Sequence, residues 1–112
     1  MKRTLSSREK EVMIVIFDSK EELALHDIVT KVNERFDHTW KPQTVSTFLF
    51  RCVEKGFLDT RKEGRFTYYK PTLGKDDMLY EELSGIAQCY FNGNIELIAE
   101  KINKLFGQAE QK

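Results

Sequence analysis

The hydrophobic positions in the first third of the chain follow the period of two amphipathic helices. Ser6 and Glu9 mark the start of the first helix, because a hydroxyl and a carboxylate at this spacing can each bond a free backbone N–H group. Residues 18–22 are polar and indicate a loop, and a second helix is predicted over residues 27–36. The two apolar faces consist of Val12, Met13, Ile16 and Phe17 in the first helix and Ile28, Val29, Val32 and Phe36 in the second.

A third helix, predicted over residues 42–55, has the clearest periodicity in the sequence. Pro42 suits its first turn, where a missing N–H group costs nothing. Gly56 is expected to end the helix in a left-handed conformation. The apolar stripe of this helix is formed by Val45, Phe48, Leu49, Cys52 and Val53.

Two β-prone runs follow the third helix and indicate a hairpin over residues 58–71. They flank Glu63-Gly64-Arg65, where Gly64 is expected to form the turn, and Pro71 closes the second run. Three helices followed by a hairpin is the element order of a winged helix-turn-helix. In that fold the third helix enters the major groove of DNA, and the hairpin, or wing, lies along the backbone.

Two further helices are predicted after residues 74–77. One face of the fourth helix and one face of the fifth are apolar, formed by Leu79, Leu83, Ile86 and Tyr90 and by Ile95, Ile98, Ile102 and Leu105. The polar residues from Gly107 onward predict a frayed tail. The expected fold is therefore mainly α with a small β-hairpin: a winged helix-turn-helix over residues 1–73, then a helical segment over residues 74–112.

The charge pattern is informative only when the chain is divided into segments. The 112 residues include 18 basic and 18 acidic side chains, so the formal net charge is zero. Residues 38–75 hold 8 basic and 3 acidic side chains, whereas residues 76–112 hold 3 basic and 7 acidic. A basic segment of this kind attracts a polyanion such as DNA, although an ordinary solvated surface can have the same composition.

The side of the third helix opposite its apolar stripe is polar. Gln43 and Thr47 lie there with Arg51 beside them, and Thr44 and Ser46 lie at the edges of the stripe. Side chains of these types can bond base edges or phosphates. The pattern therefore favours DNA recognition over a helix that is merely exposed.

A winged helix can also serve as a protein-interaction module without specific DNA binding, because the fold does not determine the function. A protein-binding version is expected to carry apolar anchors on the third helix and the hairpin. Phe50 is the one candidate on these elements, unless it packs beneath the hairpin or against the second helix. A protein-interaction module therefore remains the alternative hypothesis to a DNA-binding protein.

Other features exclude several classes of protein. The longest apolar run, residues 12–17, is far shorter than the roughly 20 residues of a membrane span, and the N-terminal residues lack the apolar core of a signal peptide, so a cytoplasmic protein is expected. Cys52 and Cys89 have no metal-ligand spacing, and both are expected to be buried. The sequence predicts no cofactor, metal site or enzymatic activity.

Several motifs together resemble the penicillinase repressor family (BlaI/MecI/CopY). The motifs are Trp40-Lys41-Pro42-Gln43-Thr44-Val45-Ser46-Thr47 with Arg51, Glu54-Lys55-Gly56-Phe57, and Arg61-Lys62-Glu63-Gly64-Arg65. They occur in the order and spacing of the family. The resemblance is strong over residues 5–72 and weaker over residues 73–106.

This resemblance implies a bacterial homodimeric repressor that binds a palindromic double-stranded operator and answers to an upstream signalling protein or protease. The implied DNA-binding residues are Lys41, Gln43, Thr44, Ser46, Thr47, Arg51, Arg61, Lys62 and Arg65. The implied dimer interface lies in the helical segment and comprises Leu79, Leu83, Ile86, Tyr90, Ile95, Ile98, Ile102 and Leu105.

Two features through which members of this family respond to an inducing signal are absent from this sequence. Members that are cut during induction carry an Asn-Phe bond in the fifth helix, where this chain has Glu100-Lys101-Ile102. Copper-responsive members end in a cysteine cluster, whereas residues 108–112 contain no cysteine. Neither β-lactam-triggered cleavage nor copper binding is therefore predicted.

Overall fold

The computed structural model describes residues 4–107, which contain five helices and three strands. In chain order the elements are α1 (Ser7–Phe17), β1 (Leu23–Ala24), α2 (Leu25–Phe36), α3 (Pro42–Glu54), β2 (Leu58–Glu63), β3 (Phe66–Pro71), α4 (Lys75–Tyr90) and α5 (Glu96–Phe106). They form two compact units that divide between residues 74 and 75. Residues 108–112, the main part of the predicted frayed tail, lie outside the described residues.

The first unit is a winged helix, so the predicted fold class is confirmed. Helices α1, α2 and α3 pack against one another and against an antiparallel sheet with the strand order β1-β3-β2. The apolar helix stripes meet in the core, where burial of large aliphatic and aromatic side chains is the main stabilising contribution. The fully buried core residues include Val12, Met13, Ile28, Val32, Val45, Leu49, Phe57 and Leu58.

Strand β1 is an element that the sequence pattern did not predict. Its two residues pair with β3, with Leu23 opposite Tyr69 and Ala24 opposite Tyr68. Two residues are too few to display the alternation that indicates a strand. The consequence is that the hairpin is hydrogen-bonded to the segment leading into α2 and is not an isolated ribbon.

Helix α2 begins at Leu25, two residues before the predicted start at Asp27. The Asp27 carboxylate accepts a hydrogen bond from the Ala24 N–H group at 3.3 Å, so Asp27 belongs to the first turn and does not precede it. A negative charge is favourable there because it faces the unpaired N–H groups of the helix start. The helix ends at Phe36, and its C-cap Asp37 adopts a left-handed conformation with φ 59°.

The end of α3 confirms the predicted role of Gly56. Its φ is 87°, and its N–H group bonds the carbonyl of Val53 at 3.0 Å. The N–H group of Phe57 bonds the carbonyl of Cys52 at 2.9 Å, which completes a Schellman motif. The helix itself stops at Glu54, one residue earlier than predicted, with Lys55 as its C-cap.

The wing, defined as residues 58–71, is the predicted hairpin with slightly longer strands. Glu63 pairs with Phe66 across a two-residue turn. Gly64 has a φ of 64°, and Arg65 is not among the residues with positive φ. Positive φ at the first turn position alone is the pattern of a type II′ turn, whose twist suits a hairpin.

The second unit contains α4 and α5, which contact each other. The chain reverses through Asn92 and Gly93, both in positive-φ conformations, and the Gly93 N–H group bonds the carbonyl of Ala87 at 2.9 Å. Ile95, predicted as the first residue of the fifth apolar stripe, is the N-cap and lies outside the helix. No described helix combines the length and apolar character that a membrane span requires.

Candidate nucleic-acid interface

The solvent-facing side of α3 carries most of the residues expected to bind DNA. Gln43, Thr47 and Arg51 are exposed, as is Lys41 at the N-cap position. Helical spacing places Gln43, Thr47 and Arg51 within about one quarter of the helix circumference. The structure therefore brings a cation and two hydrogen-bonding side chains together on one accessible surface.

Thr44 and Ser46 flank this exposed surface and are half-buried. Thr47 donates its hydroxyl hydrogen to the carbonyl of Gln43 at 3.1 Å. The hydroxyl hydrogen of Thr47 is therefore used within the helix. For a contact with DNA, the side chain can still accept a hydrogen bond through its oxygen or make an apolar contact through its methyl group.

The entry to α3 is fixed by Asn33, a residue that no motif in the sequence identifies. The Asn33 carboxamide accepts a hydrogen bond from the Trp40 N–H group and donates one to the Trp40 carbonyl, both at 3.0 Å. These bonds connect α2 to the residue just before the N-cap of α3. An asparagine seven residues before a tryptophan is too common a pattern to signal this role.

Aromatic packing supports the same turn. The rings of His38 and Trp40 stack with centroids 3.9 Å apart, and the edge of Phe48 meets Trp40 at 5.1 Å. His38 Nε2 lies 2.7 Å from a carboxylate oxygen of Glu11, which connects the turn to α1. Trp40 is half-buried, in keeping with a packing role at the start of α3.

The opposite end of α3 is held by an ion pair between a buried carboxylate and a half-buried lysine. Glu9 is only 2% exposed, and its carboxylate accepts a hydrogen bond from Lys55 Nζ at 2.6 Å. The predicted capping box is also present, since Glu9 accepts from the Ser6 N–H group. Burial alone raises the pKa of Glu9, but the hydrogen bonds from Lys55 and Ser6 and the charge of Lys55 leave that pKa below its ordinary value.

The sequence reveals the capping box but not the ion pair, because Glu9 and Lys55 are 46 positions apart. Cys52 lies beside Glu9 and is fully buried, as predicted. Burial raises the pKa of the Cys52 thiol to about 12, so the thiol stays protonated and behaves as a small apolar group.

Arg61, expected to contact phosphate, is paired with two carboxylates in the wing. Its guanidinium bonds Glu63 at 2.7 Å and Glu22 at 2.8 and 2.6 Å, and it lies over the Tyr68 ring at 4.8 Å. The bonds to Glu63 and Glu22 raise the pKa of Arg61. Glu22 belongs to the loop before β1, so this cluster ties the wing to the body of the unit.

Lys62 and Arg65 are the other cations expected in the wing, and both are exposed. Arg65 occupies the turn itself, next to Gly64. Neither side chain has an ion-pair partner among residues 4–107. Their charges are therefore available to a polyanion, in contrast to that of Arg61.

Phe50 is exposed on α3, on the solvent side of the helix, where its place in the sequence period puts it. Cys89 was expected to be buried and is exposed on α4. Helical periodicity places Cys89 only approximately, and its exposure is decided by packing that the periodicity does not encode.

The second unit exposes most of the apolar residues expected at a dimer interface. The exposed members are Leu79, Ile86, Tyr90, Ile102 and Leu105. Leu83 and Ile95 are half-buried. Ile98 is only 8% exposed in the single chain, so it has little area left to offer a partner. Among residues 4–107, no three metal-binding side chains cluster.

Comparison with known proteins assigns this architecture to a family. The family model described as penicillinase repressor matches residues 5–110. The chain is similar to the penicillinase repressor of Bacillus licheniformis, with 28% identity over 96% of this chain and 90% of the relative. It is also 28% identical to the methicillin resistance regulatory protein MecI of Staphylococcus aureus, over 89% of this chain and 80% of the relative.

Two solved structures agree with these relatives. The DNA-binding domain of the repressor BlaI has a TM-score of 0.58 and 33% identity, covering 69% of this chain and 93% of that domain. The monomeric form of Bacillus licheniformis BlaI, in complex with the blaP half-operator, has a TM-score of 0.54 and 32% identity, covering 66% of this chain and 87% of that one. The chain therefore belongs to the penicillinase repressor family.

Proposed function

We propose that this protein is a homodimeric, sequence-specific DNA-binding transcriptional repressor. Membership of the penicillinase repressor family supports the class of function. The observation that carries the proposal is the exposed side of α3, where Gln43, Thr47 and Arg51 lie together. Two exposed cations of the wing, Lys62 and Arg65, belong to the same compact unit. Its relatives are repressors and not enzymes, so we propose no catalytic activity for this chain.

In the proposed complex, each protomer places α3 in the major groove of one operator half-site. Gln43, Thr44, Ser46 and Thr47 contact base edges, while Lys41 and Arg51 contact phosphates. The BlaI structure with a half-operator supports DNA binding by this chain, because that protein shares the fold and about a third of the aligned residues. An occupied promoter site then blocks transcription until an upstream signalling protein or protease relieves the repression.

The wing contributes through two different kinds of residue in this proposal. Lys62 and Arg65 contact the phosphate backbone, because their charges are unpaired among the described residues. Arg61 holds the wing in position through Glu22 and Glu63. A phosphate that reached Arg61 would compete with two carboxylates that already occupy its guanidinium.

Residues 74–112 act as the dimerisation segment in this proposal, and residues 1–73 as the DNA-binding domain. The exposed apolar side chains of α4 and α5 are the supporting observation. A dimer is also needed energetically, since a single module of this kind buries only about 600–1,000 Å² on DNA, and two modules add their contacts. Two recognition helices then read half-sites separated by whole turns of B-DNA. Such a repressor would act in the bacterial cytoplasm, where its operator lies.

The proposal is tested by a salt series of binding to the DNA upstream of the protein's own coding sequence. A random duplex of the same length is the control. We expect tighter binding to the upstream DNA, with an affinity that falls steeply as salt rises. Equal and weak binding to both duplexes would contradict the proposal and favour the protein-interaction module.

A further inference from the structure

Phe50 is a large apolar side chain on the polar side of α3. Its side chain is 60% exposed, although Phe48, two residues earlier in the same helix, is half-buried and packs against Trp40. Phe50 follows Gln43 by seven residues and Thr47 by three, so the three side chains share one helix face. The ring therefore stands within the surface proposed to meet DNA.

The surroundings of Phe50 suit a nucleic-acid groove better than an apolar protein partner. The exposed residues nearest to it around the helix are Gln43, Thr47, Arg51 and Glu54. The centres of protein interfaces are depleted in charged residues and enriched in apolar ones. On this face of α3 the ring is surrounded by polar and charged groups, which suits instead a surface that reads base edges and meets one apolar group among them.

We propose that Phe50 is a specificity-determining residue that contacts the C5 methyl group of a thymine in each half-site. That methyl is the one apolar group that the base pairs present in the major groove, and phenylalanine is among the side chains that contact it. Phe50 lies about 10 Å further along the helix axis than Gln43, from a rise of about 1.5 Å per residue. It therefore reads a different base pair from Gln43. This inference rests on the proposed function.

The test begins with duplexes selected by the full chain from a randomised DNA library. Each thymine of the selected half-site is replaced in turn by uracil, which pairs identically but lacks the methyl group. Affinities are measured for the wild type, Phe50→Ala and Phe50→Leu. At one thymine per half-site we expect uracil to weaken wild-type binding about four-fold, the effect of one buried methyl group.

The same replacement is expected to leave the affinity of Phe50→Ala unchanged. Phe50→Leu is expected to show part of the wild-type difference in affinity between the thymine and the uracil duplex. The other thymines serve as controls, since uracil there should affect all three proteins equally. Leucine preserves an apolar contact, so the comparison survives even if the alanine variant folds poorly.

Three results would overturn the inference, and the third differs in meaning from the first two. In the first result, uracil lowers the binding affinity of all three proteins equally at every position. In the second, Phe50→Ala binds the selected duplex as tightly as the wild type does. Either result would show that Phe50 contacts no thymine methyl group. The proposed function would then stand, because a site was selected, and a protein partner would become the explanation for the ring. If the wild type selects no sequence at all, the proposed function fails as well.

Discussion

The side-chain amide of Asn33 makes two hydrogen bonds to the backbone of Trp40, one as acceptor and one as donor. The pair closes the turn between α2 and α3, which sets the direction in which α3 leaves the body of the domain. A turn held at both backbone groups has few alternative conformations, so the recognition surface is oriented before any DNA is bound.

The first prediction concerns this turn. Asn33→Ala should lower the free energy of unfolding by about 1–3 kcal/mol, because two half-buried backbone groups lose their partners. Asn33→Asp keeps the acceptor and should lose less. Urea denaturation followed by the fluorescence of Trp40, the single tryptophan in the chain, measures both. An alanine variant as stable as the wild type would show that the turn does not depend on Asn33.

The second prediction concerns the ion pair of the buried Glu9 and the half-buried Lys55. Because the folded-state pKa of Glu9 lies below its ordinary value, Glu9 contributes stability that is complete above about pH 4.5 and is lost as the pH falls through the lowered pKa. Glu9→Gln can preserve the capping box but removes the charge. This variant should lower the free energy of unfolding at pH 7 by about 1–3 kcal/mol. Its free energy of unfolding should also fall less steeply than that of the wild type as the pH is lowered.

The control for that measurement is Glu34→Gln, which neutralises an exposed carboxylate on α2. Exposed charges contribute little to stability, so this variant should follow the wild type at every pH. Identical acid unfolding curves for Glu9→Gln and the wild type would contradict the role assigned to the pair.

The third prediction concerns Arg51. Arg51→Ala should weaken binding to operator and to random duplex alike, and should reduce the slope of log affinity against log salt by about 0.9, the contribution of one phosphate contact. Lys101→Ala removes an equal charge from α5 and serves as the control. An unchanged salt slope for Arg51→Ala would exclude a phosphate contact at this position.

The fourth prediction separates the two kinds of wing residue. Arg65→Ala should reduce the salt slope as Arg51→Ala does, because its charge has no carboxylate partner among the described residues. Arg61→Ala should weaken operator binding but leave the slope nearly unchanged, since Glu22 and Glu63 already balance its charge. Equal changes of slope in the two variants would mean that Arg61 contacts phosphate directly.

The fifth prediction concerns the dimer. Leu105 is 65% exposed on the apolar side of α5, so Leu105→Glu should shift the protein towards the monomer in sedimentation velocity without unfolding it. Asn103→Glu adds the same charge to the last turns of α5, on another side of the helix, and should leave the dimer intact. A Leu105→Glu variant that sediments as the wild type does would place the interface elsewhere.

Ile98 is a poor position for that experiment, although the sequence periodicity places it in the same stripe. It is already buried in the single chain, so a charge there destabilises the folded chain itself. A loss of dimer in Ile98→Glu would therefore not distinguish a broken interface from a broken fold.

Local signals in the sequence predicted most of the fold. The capping box at Ser6, the left-handed Gly56 and the turn at Gly64 depend on residues a few positions apart, and all three occur as expected. The apolar stripes likewise identified the core, because helical period and burial are directly linked.

Interactions between distant parts of the chain were not predictable in this way. Glu22 bonds Arg61 across 39 positions and Glu9 bonds Lys55 across 46, and the identity of these residues does not reveal their partners. Arg61 therefore looked as available as Arg65 in the sequence. Only the structure separates a cation held by carboxylates from one exposed without a partner.

The short pairing between β1 and β3 has a consequence for the order of folding. The two wing strands are joined by a two-residue turn and can form from neighbouring residues alone, whereas Leu23 and Tyr69 must meet across 46 positions of chain. Closing a loop of that length has an entropic cost, and a two-residue strand offers only a few hydrogen bonds to offset it. We therefore expect β1 to join the sheet last during folding, and its pairing with β3 to be the first part of the sheet to open in amide exchange with solvent.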